Sequence, residues 1–255
     1  LAEHISGSEE AFADVMTQKA MLMGMSSTNF ENATGWPAEG HLTTARDLSI
    51  LARAVVNDHP DHYALYREKY FVWNDIRQPN RNLLLFRDET VDGLKTGHTE
   101  EAGYCLVASA KRGEMRLISV VMGTTSEESR ASESQKLLSY GFRYYETRAL
   151  YNASDILSTA RVWSGLANEV NLGVAESIKL TLPRGRQSDL QVNLQINEII
   201  KAPLAVGQEL GNLAITLDGE VLADVPVVAQ QAVEQSGFFA RLIDSIKLFF
   251  RNLFS

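Results

Sequence analysis

The sequence predicts an α+β unit, then a small all-β unit, then one amphipathic helix. Three observations carry this. From residue 1 to about 147, helical apolar spacing alternates with strand-like runs. From 148 to about 235 the apolar residues recur with period two. The last stretch, 236–255, separates aromatics from cations at helical spacing. With 255 residues, 45% of them hydrophobic and 22% charged, the chain has length for two cores and the composition of a folded protein.

The elements follow in order. "SEEAFADVMTQKA" opens a helix with Ser8 as N-cap and two glutamates in the first turn, where the helix dipole favours them. "TTARDLSILARAVV" sets Thr44 and Asp47 at capping-box spacing ahead of a helical apolar stripe. "GYCLVASA" and "MRLISVVMG" are strands joined by the polar turn "KRGE", a hairpin. "ESRASESQKLLSYGFRYYE" is a helix whose expected buried stripe is Leu137, Leu138, Phe142 and Tyr145. Beyond Tyr151, "VNLGV", "IKLTL", "VNLQI" and "LAITL" alternate as half-buried strands, and Asp218-Gly219 marks a tight hairpin.

On a wheel of about 100° per residue, Phe238, Phe239, Leu242, Ile243, Ile246, Phe249, Phe250, Leu253 and Phe254 share an arc of roughly 160°. Arg241, Asp244, Lys247, Arg251 and Asn252 take the other side, and Leu248 intrudes among them. A helix of this kind lies in a membrane interface with aromatics inward and cations toward anionic headgroups. Docking on the protein's own core or in an oligomer is the alternative.

Several classes are excluded. A net charge of -8 argues against a nucleic-acid surface. The single cysteine, Cys105, rules out an internal disulfide framework; inside an apolar strand it is expected to pack. One cysteine fits a reducing compartment or a bacterial periplasm. There is no run of 18 uncharged apolar residues for a conventional membrane span. His59 and His62 lack a third ligand, so no metal is assigned, and no cofactor motif occurs. "LAEHISGSEEAF" shows neither an initiator Met nor a signal peptide, and a processed or truncated chain is expected.

"VDGLKTGHTEEAGYCLVASA", residues 91–110, carries the chemistry. A peptidase that cleaves beside a free carboxylate must hold an extended substrate, and an edge strand does so by β-augmentation. Lys95 and Thr96 supply the cation and hydroxyl a carboxylate wants, and Gly97 permits close approach. The main-chain N–H of His98 is then placed as an oxyanion donor. Alone, these letters equally describe a strand-initiating turn with a solvated lysine.

The surrounding segments "MLMGMSSTNFENATGWPAEGHLTTARDLSILARAVV", "NRNLLLF", "VDGLKTGHT" and "ESRASESQKLL" resemble the D-alanyl-D-alanine carboxypeptidases of the penicillin-binding protein 5 type, and the resemblance runs the length of the chain. It implies the C-terminal part of a serine DD-peptidase/β-lactamase-like domain over 1–147, an all-β domain over 148–235 and a membrane-anchoring helix over 236–255. It implies that Lys95, Thr96, Gly97 and His98 contact substrate, with Lys95 and the His98 N–H also catalytic. It maps Arg81 and Arg130 to substrate-binding arginines and sets Arg130 near the carboxylate pocket. The implied partners are peptidoglycan stem peptides, β-lactam antibiotics and the periplasmic face of the bacterial inner membrane.

The motif set of the wider group also includes Ser-x-x-Lys and a Ser-x-Asn triad. No serine here has lysine three residues on; Ser27-Thr28-Asn29 matches the triad by letters and is read as a decoy. The resemblance implies that the nucleophile motif lies ahead of Leu1, in the same protein or on a separate polypeptide, which leaves this chain inactive alone. A serine β-lactamase, or a membrane-docked peptidoglycan-binding module without catalysis, remain the alternatives.

Overall fold

The structure, a computed structural model, describes residues 1–254, with side chains through Arg251. The chain divides into two units, the first Leu1–Tyr144 and the second beginning at Tyr145. In the first unit, α1 (Ala2–Ser6) and α2 (Glu9–Leu22) precede α3 (Ala45–Asp58) and the short α4 (Pro60–Tyr63). A hairpin of β1 (Tyr70–Trp73) and β2 (Ile76–Pro79) leads to α5 (Leu84–Arg87). Then come β3 (Val91–Thr99), β4 (Gly103–Arg112), β5 (Met115–Thr124) and α6 (Glu127–Tyr144).

The caps behave as their residue types dictate. Ser8 Oγ accepts the Ala11 N–H at 3.1 Å, and Thr44 Oγ1 accepts the Asp47 N–H at 3.1 Å. Asp47 does more than complete a cap. Buried in α3, it accepts the Ser27 N–H at 2.9 Å and the Thr28 hydroxyl at 2.7 Å, and the Thr28 bond holds its carboxyl below the ordinary range. Ser27 and Thr28 thus tie the segment after α2 to α3.

β3, β4 and β5 form an antiparallel sheet in that order, so β3 is an edge strand. Side chains alternate across a strand, which sets Lys95 on the face of Val107 and Val120, and Thr96 on the face of Leu106 and Val121. α6 packs on the second face. There Gly141 lies so near Leu117 that a β-carbon would come within 2.5 Å of the leucine's Cδ1.

One expectation for α6 fails. Leu138 and Phe142 are buried, but Leu137 is 50% exposed and Tyr145 begins the next strand. The buried residues are Arg130, Ala131, Ser134, Leu138 and Phe142, a stripe that includes an arginine and a serine. An apolar-only wheel therefore selected the wrong neighbour.

The second unit contains β6 (Tyr145–Tyr151), β7 (Ser158–Trp163), β8 (Glu169–Val174), β9 (Ile178–Pro183) and β10 (Gln191–Ile196). It continues with β11 (Ile200–Lys201), β12 (Glu209–Leu217), β13 (Glu220–Ala229) and α7 (Phe238–Phe254). Six strands make one sheet in the order β10-β12-β13-β8-β7-β11, and β6 pairs with β9. Asp218 and Gly219 turn the β12–β13 hairpin with φ of 52° and 86°, the left-handed values such a two-residue loop demands. Inward residues Val170, Leu172, Leu213, Ile215 and Val227 sit at the centre of one apolar core.

Candidate active site

β3 begins on a polar foundation. Asp92 accepts two bonds from Arg116, at 2.8 and 2.7 Å, and a short one from the Tyr63 hydroxyl; Arg116 also donates to Ser109 Oγ at 2.7 Å. Burial, and then the Asp92 bond, push the Tyr63 phenol up to about 12. Gly93 is required beneath this tyrosine, because a β-carbon there would lie 2.8 Å from its hydroxyl oxygen. Asn82, 1% exposed, donates from Nδ2 to the Gly93 carbonyl at 3.0 Å and accepts the Leu84 N–H at 3.2 Å. That pair of bonds ties α5 to the same strand.

Above this base a groove of about 780 Å³ opens along β3. Leu48, Leu51 and Val55 of α3, with Val107 and Val120 of the sheet, give it an apolar wall. Lys95, Thr96, Gly97, His98, Arg81 and Arg130 line it too, so the structure gathers all six sequence-selected residues of this unit into one cavity. A β-carbon on Gly97 would meet nothing closer than Cys105 Cβ at 3.9 Å, so the surface beside Gly97 is open.

The cations reinforce one another. Lys95 is solvent-accessible, yet its ammonium pKa lies below the ordinary lysine value, through partial desolvation first and then the charges of Arg81 and Arg130. Its Nζ donates to the Thr96 carbonyl. Arg130 is 2% exposed: it donates to the Gly97 carbonyl at 3.2 Å and the Arg81 carbonyl at 3.4 Å, and pairs with Glu127 at 3.1 Å. One buried guanidinium thereby braces both the strand and the Arg81 loop. Three like charges around one opening make a site that an anion relieves.

Residues that sequence reasoning passed over complete the rim. The Tyr104 ring lies against His98 at 3.9 Å and under the Arg130 guanidinium at 5.5 Å. Glu127 partly neutralises Arg130. The register His98 opposite Tyr104 was the available signal, and only strand pairing reveals it. Cys105, expected to pack within its strand, is half-buried in β4 and lines the groove beside Gly97. The His59 and His62 rings meet edge to face at 6.3 Å, and no cluster of three metal-ligating side chains occurs among the described residues.

In the second unit, Phe238, Phe239, Leu242, Ile243, Ile246, Phe249 and Phe250 of α7 are all exposed. The side chains of Asn252, Leu253 and Phe254 lie outside the described residues. No described helix is long and apolar enough to cross a membrane.

Comparison with known proteins sets the chain among the penicillin-binding proteins. It is similar to penicillin-binding protein 5 from Haemophilus influenzae at 40% identity and a TM-score of 0.78, covering 92% of this chain and 69% of that one. Penicillin-binding protein D2 from Listeria monocytogenes in its ampicillin-bound form is 32% identical with a TM-score of 0.51, covering 55% of this chain and 59% of that one. Residues 1–126 match the D-alanyl-D-alanine carboxypeptidase family, and residues 145–235 match the penicillin-binding protein 5 C-terminal domain. The D-alanyl-D-alanine carboxypeptidase DacC of Escherichia coli (strain K12) is 42% identical over 256 residues, and DacA of the same strain is 40% identical. These alignments cover 100% of this chain and 64% of each relative. The chain belongs to the D-alanyl-D-alanine carboxypeptidase family.

Proposed function

We propose that this chain is the substrate-gripping part of a serine-type D-Ala-D-Ala carboxypeptidase that trims the terminal D-alanine from peptidoglycan pentapeptides. The observation that carries the reading is the convergence of Lys95, Arg81 and Arg130 with Thr96 and Gly97 on one groove beside an edge strand. The stem peptide lies along β3 as an added strand, and its terminal carboxylate enters the cationic rim beside the Thr96 hydroxyl. A serine Oγ attacks the penultimate D-alanine carbonyl, the His98 N–H steadies the oxyanion, and D-alanine leaves carrying a proton. Water then cleaves the acyl-serine ester. Lys95 assists binding and proton traffic.

We infer that the attacking serine and its lysine base lie outside these 255 residues, among which no Ser-x-x-Lys pair occurs. β-Lactams carry a carboxylate beside a strained amide and acylate the same serine. The exposed aromatic face of α7 seats the protein on the periplasmic face of the inner membrane, with the β unit as spacer.

The test uses the gene's full open frame. Purified protein should release D-alanine from a pentapeptide ending in D-Ala-D-Ala and form a covalent penicillin adduct. Lys95→Ala should lower kcat/KM by about 10²-fold or more, the scale of losing one electrostatic contact to the transition state. Absence of both release and adduct in the unmutated protein defeats the reading.

A further inference from the structure

Leu248 breaks the polar side of the C-terminal wheel, and the structure gives it a use. Among the α7 side chains through Arg251, Leu248 alone is buried, at 7% exposure. Asp244 accepts the main-chain N–H of Ser164 at 2.8 Å and has the Arg161 guanidinium 3.9 Å away. That guanidinium in turn lies 3.8 Å over the Trp163 ring. Arg241, half-buried, donates to Gln235 at 3.1 Å. Positions 241, 244 and 248 form one helical stripe, and this stripe faces the β unit.

The turn that receives the helix is itself fixed. Ser164 has φ of 59°, its carbonyl accepts the Ser236 N–H at 2.9 Å, and the Leu166 N–H donates to Glu234 at 2.8 Å. The same turn therefore holds the lead-in segment and the second turn of α7. Charge is sorted by this docking. Asp244, the one anion between Phe238 and Arg251, is turned inward against an N–H and a cation, while Lys247 and Arg251 are exposed alongside the apolar face.

We propose that α7 binds an anionic phospholipid surface while staying latched to the β unit through Asp244 and Leu248, so that the unit stands on the bilayer in a fixed attitude. Charge complementarity selects this occupant, because the outward face pairs aromatics with cations and hides its anion. The proposal rests on the anchoring reading above and adds that the anchor is docked and not tethered.

The test combines co-sedimentation on phosphatidylglycerol–phosphatidylcholine vesicles with amide hydrogen exchange at Ser164. The unmutated chain should sediment, and its Ser164 amide should stay as protected on vesicles as in solution. Asp244→Ala and Leu248→Ala should still sediment, yet each should speed Ser164 exchange by about tenfold or more. Unchanged exchange across β12 and β13 will show that both variants remain folded. Faster Ser164 exchange when the unmutated chain binds lipid overturns the latch alone, as does no acceleration in either variant. An unmutated chain left in the supernatant with Ser164 still protected sinks the anchoring reading, and this proposal with it. Equal sedimentation on phosphatidylcholine alone removes the anionic preference.

Discussion

The two units keep different interiors. Thr28, Asp47, Asn82, Ser109, Ser119, Arg130 and Ser134, the buried polar and charged residues among those described, all belong to the first unit. The second unit instead closes an apolar core from Val162 to Val233. Buried polar groups demand partners and fix geometry, whereas apolar burial stabilises without direction. The unit that must aim a lysine and two arginines along one strand has the polar interior; the unit read as a spacer does not.

The comparison breaks first on packing. Ile215, fully buried between apolar strands, should cost about 2–5 kcal/mol when cut to alanine. Urea unfolding followed by hydrogen exchange should localise that loss to the second unit. An equal loss of protection in β3–β5 would show that the units do not hold independent cores.

Arg130→Ala comes next, at about 2–3 kcal/mol, since it strands the Gly97 and Arg81 carbonyls that the guanidinium braces. Lysine should not restore it, because one ammonium cannot reproduce the planar fork. Full stability of Arg130→Lys, measured by urea midpoint, would mean that charge alone suffices.

The smallest effect sharpens the contrast by pH. Tyr63 stays protonated in the folded chain up to about 12, while an unfolded tyrosine ionises near 10.0. Between those values the folded state binds more protons than the unfolded one, so stability falls as pH rises and is fully present below 10.0. Alkaline exchange profiles should weaken in the first unit, and Tyr63→Phe should flatten that slope at a cost of about 1 kcal/mol near neutrality. An unchanged slope in the variant would assign the pH response elsewhere.

Much of the fold was legible because its rules are local. Ser8 and Thr44 capped helices as their hydroxyls predict, and Asp218-Gly219 turned a hairpin because both positions need positive φ. The hairpin at Trp73-Asn74-Asp75-Ile76 carried a related signal and went unread; Asn74 and Asp75 take φ of 52° and 61°. Leu137 was misjudged for a different reason. A wheel scored on apolarity cannot foresee that Arg130 and Ser134 will occupy the buried stripe. Tyr104, Asn82 and Glu127 escaped because their roles come from residues that adjoin only after pairing.

By itself the sequence determined the Lys95-Thr96-Gly97 strand, the period-two second half and the two-faced tail, since each is written in the order of neighbouring residues. Only the tertiary structure decided that Arg130 is buried and braces both β3 and the Arg81 loop, and that Leu248 and Asp244 turn inward. Those outcomes depend on which distant groups come within hydrogen-bonding or van der Waals reach. Periodicity carries no such distances.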